Sequence, residues 1–350
     1  MRENNNTSET IAVFGAGGFI GSHMIEALTA TNYKVLAIDV DLKKLAEVLP
    51  DSTNVTTIEL DITKDREKVE ELIKDSDIVV DLIAYANPSI YITDPIGTVT
   101  LDLFENLWIT ELCVKYKKFL FQYSTCEVYG LDNGRNQPFN EEESLLVVGP
   151  INEHRWIYSC AKQMLERIVH AYGIKEGLDY IVIRPFNFVG PRIDYLIDDK
   201  DEEGNPRVFS HFMSALLLNK PLPLVDGGIN LRSYTHIEDA TDAFMRILEN
   251  RQQFNREIIN IGTPENETSI RGLAELMIEL YNEETGANFS AGTVDIPSEE
   301  FYGEGYADCD RRIPDNSKIA SLGWKEKYNL EEIFRDAIRY YIKNNEFVTQ

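Results

Sequence analysis

Cysteine is scarce in this chain, and its spacing excludes the sites that cysteine usually builds. The 350 residues include four cysteines, which are Cys113, Cys126, Cys160 and Cys309. No two of them form a C-x-x-C pair, so the sequence predicts neither a metal site nor a disulfide framework. Scattered free thiols are typical of a reducing compartment, and we therefore expect a cytoplasmic protein.

Long apolar runs are missing, and basic residues are few. No stretch of about eighteen apolar residues occurs, so no membrane-spanning helix is expected. The polar segment 1–10 lacks the apolar region of a signal peptide, which predicts that the chain is not secreted. The 34 lysines and arginines are outnumbered by 59 acidic residues, which gives a formal net charge of −25. A chain this acidic is not expected to bind nucleic acid or an anionic membrane.

The chain does have a glycine-rich turn near its N-terminus. An apolar run over 11–14 leads into Gly15-Ala16-Gly17-Gly18-Phe19-Ile20-Gly21, and an amphipathic segment over 22–30 follows. A strand, a turn of small residues and a helix in this order let a pyrophosphate approach the N–H groups at the helix N-terminus. A tight packing turn is the plainer alternative. We expect a dinucleotide cofactor to contact Gly15, Gly18, Phe19, Ile20 and Gly21.

Acidic residues at the ends of the following strands indicate which dinucleotide this is. Asp39 closes a predicted strand over 33–38, where a carboxylate can bind the 2′-hydroxyl of the adenosine ribose, although it could instead cap the next helix. A carboxylate there repels a 2′-phosphate, so we predict NAD rather than NADP. Asp61 and Ile62 follow the third strand and suit the adenine edge. Ala84 ends the fourth strand and is expected beside the cofactor.

Strands and helices alternate through the first half, which predicts an α/β fold. The strands are expected over 11–14, 33–38, 55–60, 78–84, 118–123 and 180–184. We predict a Rossmann-type doubly wound parallel sheet with a smaller α/β C-terminal substrate domain. Residues 10–184 would form the NAD-binding domain, with 236–262 returning to it, and 185–350 would form a discontinuous substrate domain. The acidic stretch 193–207 is expected to form a loop over the site.

Two long helices are predicted over 98–116 and 157–175. Both carry more apolar residues than a helix with one buried side needs. We therefore expect a homodimer built from these helices. Helical phase places Cys160 toward the sheet and predicts that it is buried.

The stretch between residues 124 and 162 carries the groups that could perform chemistry. Tyr158 and Lys162 lie four residues apart, so a helix would place both on one face. A lysine ammonium beside a phenol favours phenolate, and we expect it to lower the pKa of Tyr158. Such a tyrosine can take a proton from a hydroxyl group while hydride leaves the same carbon. Thr125 could hold that hydroxyl, and Glu127 is a second titratable group nearby.

Five arginines stand out in a chain this acidic. They are Arg155, Arg192, Arg207, Arg232 and Arg312. A guanidinium binds carboxylate and phosphate through a planar fork, so these side chains could surround an anionic substrate. Each could instead form an ordinary surface ion pair. Their positions near Tyr158, Asn187 and the stretch 306–314 favour the binding role.

Several motifs together resemble one known family. They are Ser124-Thr125-Cys126-Glu127-Val128-Tyr129-Gly130, Arg155-Trp156-Ile157-Tyr158-Ser159-Cys160-Ala161-Lys162-Gln163, Arg184-Pro185-Phe186-Asn187, Phe301-Tyr302-Gly303-Glu304-Gly305-Tyr306 and Arg311-Arg312-Ile313-Pro314. With the glycine turn, they make the chain similar to the extended short-chain dehydrogenases/reductases that act on nucleotide sugars. The narrower resemblance, over about 11–341, is to the plant-type UDP-apiose/UDP-xylose synthases. The same motifs resemble the UDP-glucuronate decarboxylase half of the bifunctional enzyme that makes UDP-4-amino-arabinose in polymyxin-resistant bacteria.

This resemblance implies an NAD-dependent decarboxylation of UDP-glucuronic acid. Tyr158 would act as general base on the sugar 4-hydroxyl, with Lys162 lowering its pKa, and both would also contact the cofactor. Hydride would pass from C4 of the sugar to NAD. The resulting 4-keto acid is a β-keto acid and loses carbon dioxide, giving UDP-xylose, a UDP-4-keto-pentose or UDP-apiose. Glu127 and Arg312 would flank C5 and C6.

The resemblance also implies contacts for the rest of the substrate. The sugar and the diphosphate would be contacted by Tyr91, Arg155, Asn187 and Tyr306. The UDP end would be bound by Arg192, Arg207 and Arg232. The segment 185–350 is thus expected to bind a nucleotide sugar, with no nucleic acid or membrane as a partner.

Cysteine bears on the product that this resemblance implies. Cys126 matches one of two cysteines that act together in the plant enzymes, whereas Ala86 stands at the place of the second. Only one of the two thiols is therefore present, which argues against ring contraction to apiose. Alternatively, Cys126 is a small buried side chain that fills space beside the cofactor.

Other function classes stay open on the sequence alone. A nucleotide-sugar 4-epimerase or 4,6-dehydratase would use the same scaffold. Epimerases usually lack a glutamate–arginine pair at C5, and dehydratases require an acid pair where Cys126-Glu127 supplies one acid. A non-catalytic NAD-binding scaffold protein is a third possibility, which the presence of Thr125, Tyr158 and Lys162 opposes.

Overall fold

A computed structural model describes residues 8–46, 48–49, 52–132, 137–197 and 206–344 of the chain. Part of the loop that we predict over 193–207 lies outside these residues. Within the described ranges, no helix combines the length and the apolar character that a membrane span requires.

The strands form one large sheet and several small ones. In chain order they are β1 (Thr10–Phe14), β2 (Lys34–Asp39), β3 (Val55–Glu59), β4 (Ile78–Asp81), β5 (Phe119–Tyr123), β6 (Tyr180–Pro185), β7 (Phe188–Val189), β8 (Leu222–Val225), β9 (Leu231–Ser233), β10 (Thr235–His236), β11 (Glu257–Ile261), β12 (Glu267–Ser269), β13 (Thr293–Ile296) and β14 (Arg311–Arg312).

The helices cover the large sheet and extend beyond it. In chain order they are α1 (Phe19–Leu28), α2 (Lys43–Ala46), α3 (Arg66–Asp75), α4 (Pro88–Thr93), α5 (Pro95–Val99), α6 (Asn106–Tyr116), α7 (Trp156–Lys175), α8 (Val208–Leu217), α9 (Ile237–Glu249), α10 (Ile270–Thr285), α11 (Ser298–Tyr302), α12 (Ser317–Ala320) and α13 (Leu330–Lys343). A π-helical turn, Thr100–Glu105, joins α5 to α6. A short 3₁₀ turn, Cys126–Tyr129, follows β5.

The large sheet has seven parallel strands in the order β11-β6-β5-β4-β1-β2-β3. Its central strands are buried and rich in Val, Ile and Phe, as expected for a parallel sheet that is covered on both faces. The strand order changes direction between β1 and β4, which defines a switch point with a crevice at their carboxyl ends. The predicted Rossmann-type doubly wound sheet is confirmed.

The second half of the chain contributes to this sheet and builds smaller ones. Strand β11 pairs with β6, with Ile258 opposite Val182. A three-stranded sheet has the order β12-β9-β14, and β13 pairs with β8. The short strand β14 therefore fixes Arg311 and Arg312 against β9 in a stretch where the sequence predicts no regular structure. The division of the chain near residue 184 stays a prediction.

A long helical stretch runs from α5 through the π-helical turn into α6. Such turns are frequent at functional sites. Asp102 lies in the turn and is fully buried. On the outer side of this stretch and of α7, the apolar side chains of Ile96, Phe104 and Met164 are exposed.

One residue on α7 differs from its prediction. Cys160 is exposed, whereas Tyr158 and Lys162 are buried. The prediction of a buried Cys160 was wrong because two residues along a helix turn the side chain by about 200°. Once α7 buries Tyr158, Cys160 must point away from the sheet.

Candidate active site

The glycine turn follows the carboxyl end of β1, and its backbone passes so close to neighbouring backbone that side chains larger than glycine would clash at two positions. Gly15 has φ of +84°, and a Cβ at Gly21 would lie 2.2 Å from the carbonyl oxygen of Gly15. A Cβ at Gly17 would lie 1.8 Å from the carbonyl oxygen of Asp41. Helix α1 begins at Phe19, and no side chain caps its N-terminus. Its first N–H groups are thus available to a phosphate.

A cavity of about 400 Å³ runs from this turn to Tyr158. It is lined near the turn by Gly15, Gly18, Phe19, Ile20 and Gly21, and further along by Ala84, Thr125 and Tyr158. The shape and the free helix N-terminus fit a dinucleotide, with its pyrophosphate at α1 and its reactive ring toward Tyr158.

Three residues predicted to hold the adenosine lie at the strand ends but outside the described lining of this cavity. Asp39 accepts the N–H of Gly17 at 2.8 Å, which places its carboxylate against the glycine turn. Asp61 pairs with Lys64 at 2.7 Å and accepts hydrogen bonds from Thr63, and these partners lower its pKa to about 2. Ile62 is buried in an apolar layer. The side chains of Asp61 and Ile62 are thus occupied within the protein.

Tyr158 and Lys162 share the buried face of α7, as predicted. Burial raises the pKa of Tyr158 well above its usual value, the negative charges of Asp102 and Glu127 raise it further, and a hydrogen bond with Thr125 opposes them. The predicted lowering of this pKa was therefore wrong for this structure. The main reason is that burial disfavours the charged phenolate, and buried carboxylates add to this effect. One of them, Asp102, also offsets the ammonium of Lys162, whose Nζ lies 3.7 Å from its Oδ1.

The ring of Tyr91 lies on the ring of Tyr158. The two ring centroids are 4.5 Å apart, and the planes differ by 7°. The guanidinium of Arg155 lies 5.2 Å from the centroid of the Tyr91 ring. Tyr91 thus lies between the predicted base and the buried guanidinium of Arg155.

Glu127 lies between two buried arginines. Nη2 of Arg155 is 2.6 Å from its Oε2, and Nη1 of Arg312 is 2.9 Å from its Oε1. Burial alone would raise the pKa of Glu127, but the two guanidiniums outweigh burial and hold the pKa well below its usual range. The backbone N–H of Glu127 donates to Oγ of Thr125 at 3.1 Å, which ties the carboxylate to the end of β5.

Asp308 is a functional candidate that the sequence analysis missed. Nη2 of Arg232 lies 2.5 Å from its Oδ2, Nη2 of Arg312 lies 3.6 Å from its Oδ1, and the hydroxyl of Tyr306 donates to it at 3.3 Å. It stands in an irregular, charged stretch where no spacing distinguishes it from Asp310. The signal that could have found it is its place four residues before Arg312 beside Tyr306.

The arginine cluster consists of Arg155, Arg232, Arg312, Glu127 and Asp308. Its three guanidiniums and two carboxylates leave one net positive charge. Nε and Nη1 of Arg155 and Nε and Nη2 of Arg312 are buried and have no hydrogen-bond partner among the described residues. Buried donors without acceptors are costly, so these atoms indicate where an anionic ligand binds.

The arginine cluster opens into a second cavity of about 500 Å³, which also contains Tyr91 and Tyr306. The two cavities adjoin, because both are lined by Ala86, Glu127, Asn187, Phe188, Ile193 and Arg207. Asn187 is held in this shared wall by donating to the carbonyl oxygen of Ser233 at 2.9 Å. Within the described residues, no group of His, Cys, Asp or Glu is placed to hold a metal ion.

Arg207 and Arg192 take different places. Arg207 lines both cavities and pairs with Asp194 at 3.2 Å. Arg192 lies against α1, where its guanidinium is 2.8 Å from Glu26. The described lining of neither cavity includes it. Arg192 has φ of +65°, a left-handed turn that directs the side chain toward α1, so the structure does not bring it to the predicted substrate site.

Cys126 and Ala86 both lie at the first cavity. Cys126 is buried, and burial raises the pKa of its thiol. Ala86 lies in the wall that the two cavities share and contributes no reactive group. The described lining of the first cavity holds one thiol where the resemblance would require two.

Two features together define the class of protein. The first cavity can hold a dinucleotide at the switch point of the sheet, and the adjoining second cavity contains the positively charged arginine cluster. The family model "NAD dependent epimerase/dehydratase family" matches residues 11–262, and the chain belongs to that family. It is an enzyme of the extended short-chain dehydrogenase/reductase type, and NAD is its cofactor.

Named relatives give a narrower view. The chain is 40% identical over 353 residues to UDP-D-apiose/UDP-D-xylose synthase 1 of Arabidopsis thaliana, covering 95% of this chain and 90% of that one. It is 38% identical to the UDP-D-apiose/UDP-D-xylose synthase of Oryza sativa subsp. japonica, with coverage of 95% and 89%.

Solved structures agree with this placement. The PbgP3 protein of Burkholderia pseudomallei superimposes with a TM-score of 0.81 at 32% identity over 96% of each chain. A UDP-glucuronic acid 4-epimerase of Bacillus cereus, solved with NAD, has a TM-score of 0.79 over 96% of this chain and 99% of its own. Its identity of 23% shows the shared fold alone.

Proposed function

We propose that this enzyme decarboxylates UDP-glucuronic acid through an NAD-dependent oxidation at C4, giving UDP-xylose, a UDP-4-keto-pentose or UDP-apiose. The observation that carries the proposal is the arginine cluster, whose cavity adjoins the one that contains Tyr158. A nucleotide sugar with a carboxylate matches this cavity, because its diphosphate and its sugar are both anionic. The named plant relatives are synthases of UDP-apiose and UDP-xylose, which are products that this decarboxylation would give.

Oxidation is assigned to the groups around Tyr158. The phenolate of Tyr158 takes the proton of the sugar 4-hydroxyl, which Thr125 holds by a hydrogen bond, while the C4–H bond gives up a hydride. NAD, when bound along the glycine turn with Asp39 at its ribose, supplies the hydride acceptor. Lys162 provides positive charge beneath the phenolate.

Decarboxylation is assigned to the arginine cluster. Once C4 is a ketone, the C5–C6 bond can break, carbon dioxide leaves, and the electron pair moves to the C4 oxygen as an enolate. Arg312 and Arg155 supply fixed positive charge from buried side chains, and such charge stabilises an enolate more effectively than charge in open solvent. Glu127 orients both guanidiniums and is assigned, with Arg312, to the C5 and C6 side of the sugar.

The remaining contacts follow the walls of the second cavity. Tyr91, Arg155, Asn187 and Tyr306 are assigned to the sugar and diphosphate. Arg207 and Arg232 are assigned to the UDP end, and Arg192 is left out because it pairs with Glu26. Since Ala86 provides no second thiol beside Cys126, we favour UDP-xylose or the 4-keto-pentose over UDP-apiose.

The test is incubation of the purified protein with UDP-glucuronate and NAD, with carbon dioxide and NADH absorbance followed together. Carbon dioxide with lasting NADH identifies the 4-keto-pentose, and carbon dioxide without it identifies xylose or apiose, which NMR separates. UDP-galacturonate without gas would show a 4-epimerase and refute the proposal. The Tyr158→Phe variant is the control for chemistry that depends on the proposed base.

The assembly and compartment are proposals of the same kind. The exposed side chains of Phe104 and Met164 lie on the two helices that the sequence predicts for a homodimer, and the exposed Ile96 lies just before the first of them. A monomer by light scattering would refute that dimer. A cytoplasmic location is consistent with the four free cysteines, and cell fractionation would test it.

A further inference from the structure

A buried carboxylate beside Lys162 has no role in the chemistry described so far. Asp102 is fully buried in the π-helical turn, and its Oδ1 lies 3.7 Å from Nζ of Lys162. The same oxygen accepts the backbone N–H of Tyr85 at 3.2 Å. Its Oδ2 is buried and has no hydrogen-bond partner among the described residues. An ionised carboxylate that is half satisfied in this way is costly to maintain.

The charged and titratable groups around Asp102 come from three elements. Lys162 and Tyr158 face it from α7, Asp81 from β4, and Tyr91 from α4. Asp81 differs from Asp102 in having partners on both oxygens, because it accepts hydrogen bonds from Gln122 at 3.1 Å and from the N–H of Ile83 at 3.1 Å. Burial raises the pKa of Asp102 to about 7, against the attraction of Lys162, and that of Asp81 to about 6.

The ammonium of Lys162 therefore interacts with two buried carboxyl groups, those of Asp102 and Asp81. When Asp102 is ionised, its charge offsets that of Lys162 and raises the pKa of Tyr158. When Asp102 is protonated, it is neutral and no longer opposes the positive charge of Lys162 at the phenol. The two acids are coupled, so ionisation of either disfavours ionisation of the other.

We propose that Asp102 is a positioning residue that acts through Lys162 and sets how readily Tyr158 gives up its proton. This inference rests on the proposed role of Tyr158 as the base. It assigns the buried carboxylate of the π-helical turn to the control of the oxidation step rather than to packing. It follows that oxidation responds to pH near neutrality through a group that touches neither the sugar nor the cofactor.

The test is the Asp102→Asn variant, which keeps an oxygen for the N–H of Tyr85 and removes the charge. The ultraviolet absorbance of tyrosinate is titrated with the enzyme saturated with NAD, and the same titration in a Tyr158→Phe background is subtracted. The midpoint of Tyr158 should fall by about one pH unit or more in Asp102→Asn. An unchanged midpoint would overturn the proposal.

Glu105→Gln is the matched control. Glu105 lies in the same π-helical turn, but its carboxylate points to Arg66 at 2.6 Å. Removing its charge should leave the titration of Tyr158 unchanged, and an equal shift would overturn the specific role of Asp102. NAD binding and thermal unfolding of both variants report whether they are folded. If UDP-glucuronate yields neither NADH nor carbon dioxide, the proposed function fails, while the titration still decides the role of Asp102.

Discussion

The Glu127→Gln substitution can show whether the arginine cluster binds the carboxylate of the substrate in addition to its nucleotide. The substitution keeps the size of the side chain but raises the arginine cluster from one net positive charge to two. The side chains of Arg155 and Arg312 are only 4% and 3% exposed, so water does not replace the lost charge. Breaking buried pairs costs about 3–5 kcal/mol, and the amide oxygen retains about 1 kcal/mol of hydrogen bonding. We expect Glu127→Gln to lower the free energy of unfolding by about 3 kcal/mol.

The carboxylate of UDP-glucuronate should restore part of this loss because it brings the missing charge. We therefore expect UDP-glucuronate to raise the Tm of Glu127→Gln by more than it raises the Tm of the wild type. UDP-xylose has no carboxylate and should raise both by the same amount. Each 1.4 kcal/mol restored corresponds to about tenfold in affinity. Thermal unfolding with each ligand, in a Tyr158→Phe background to prevent turnover, measures the effect.

Glu267→Gln is the matched control for this experiment. Glu267 pairs with Arg311 at 2.7 Å, beside Arg312 in β14, but its side chain is 24% exposed. Its loss should cost no more than about 1 kcal/mol, and the two ligands should stabilise this variant as they stabilise the wild type. Equal stabilisation of Glu127→Gln by UDP-glucuronate and UDP-xylose would refute the assignment of the arginine cluster to the substrate carboxylate.

Three other outcomes test the site. Tyr158→Phe should abolish NADH formation from UDP-glucuronate and leave NAD affinity nearly intact by equilibrium dialysis; lost NAD binding would contradict its role as base. Arg232→Lys should raise the KM for UDP-glucuronate in steady-state kinetics, whereas Arg192→Lys should not. Equal effects of the two substitutions would argue against the position of Arg192 outside the substrate cavity, beside Glu26 of α1. Because Arg155 and Arg312 depress the pKa of Glu127, its stabilising effect is fully present above about pH 4.3 and declines as the pH falls below that value. The difference in unfolding free energy between wild type and Glu127→Gln, from urea titrations, should therefore narrow below about pH 4, and a constant difference would count against the buried pair.

The nucleotide half of the fold could be predicted because its signals are local. The strand that ends in the glycine turn, the helix after it and the carboxylate of Asp39 follow one another along the chain. Parallel strands buried on both faces appear as apolar runs. The motifs around Glu127 and Arg312 also gave the correct grouping, although 185 positions separate the two residues that the structure brings to 2.9 Å.

The rest depended on which side chains meet in space. Lys162 is visible in the sequence beside Tyr158, but the burial of the phenol and the nearness of the Asp102 carboxylate depend on the fold. The direction of the Tyr158 pKa shift could therefore not be inferred. Asp308 was missed because the guanidinium nearest to it belongs to Arg232, which lies 76 positions earlier in the chain. The ion pair of Arg192 could not be inferred from the sequence because its partner, Glu26, lies 166 positions earlier in the chain.

The wall that the two cavities share has a thermodynamic consequence. Asn187 and Arg207 line both cavities, so a ligand in either cavity would contact them, and we expect the two binding free energies to be coupled. NAD should then change the dissociation constant of a UDP-sugar by some factor, and the UDP-sugar must change that of NAD by the same factor. A heterotropic coupling of this kind would favour retention of the dinucleotide for as long as an oxidised sugar intermediate awaits its next step.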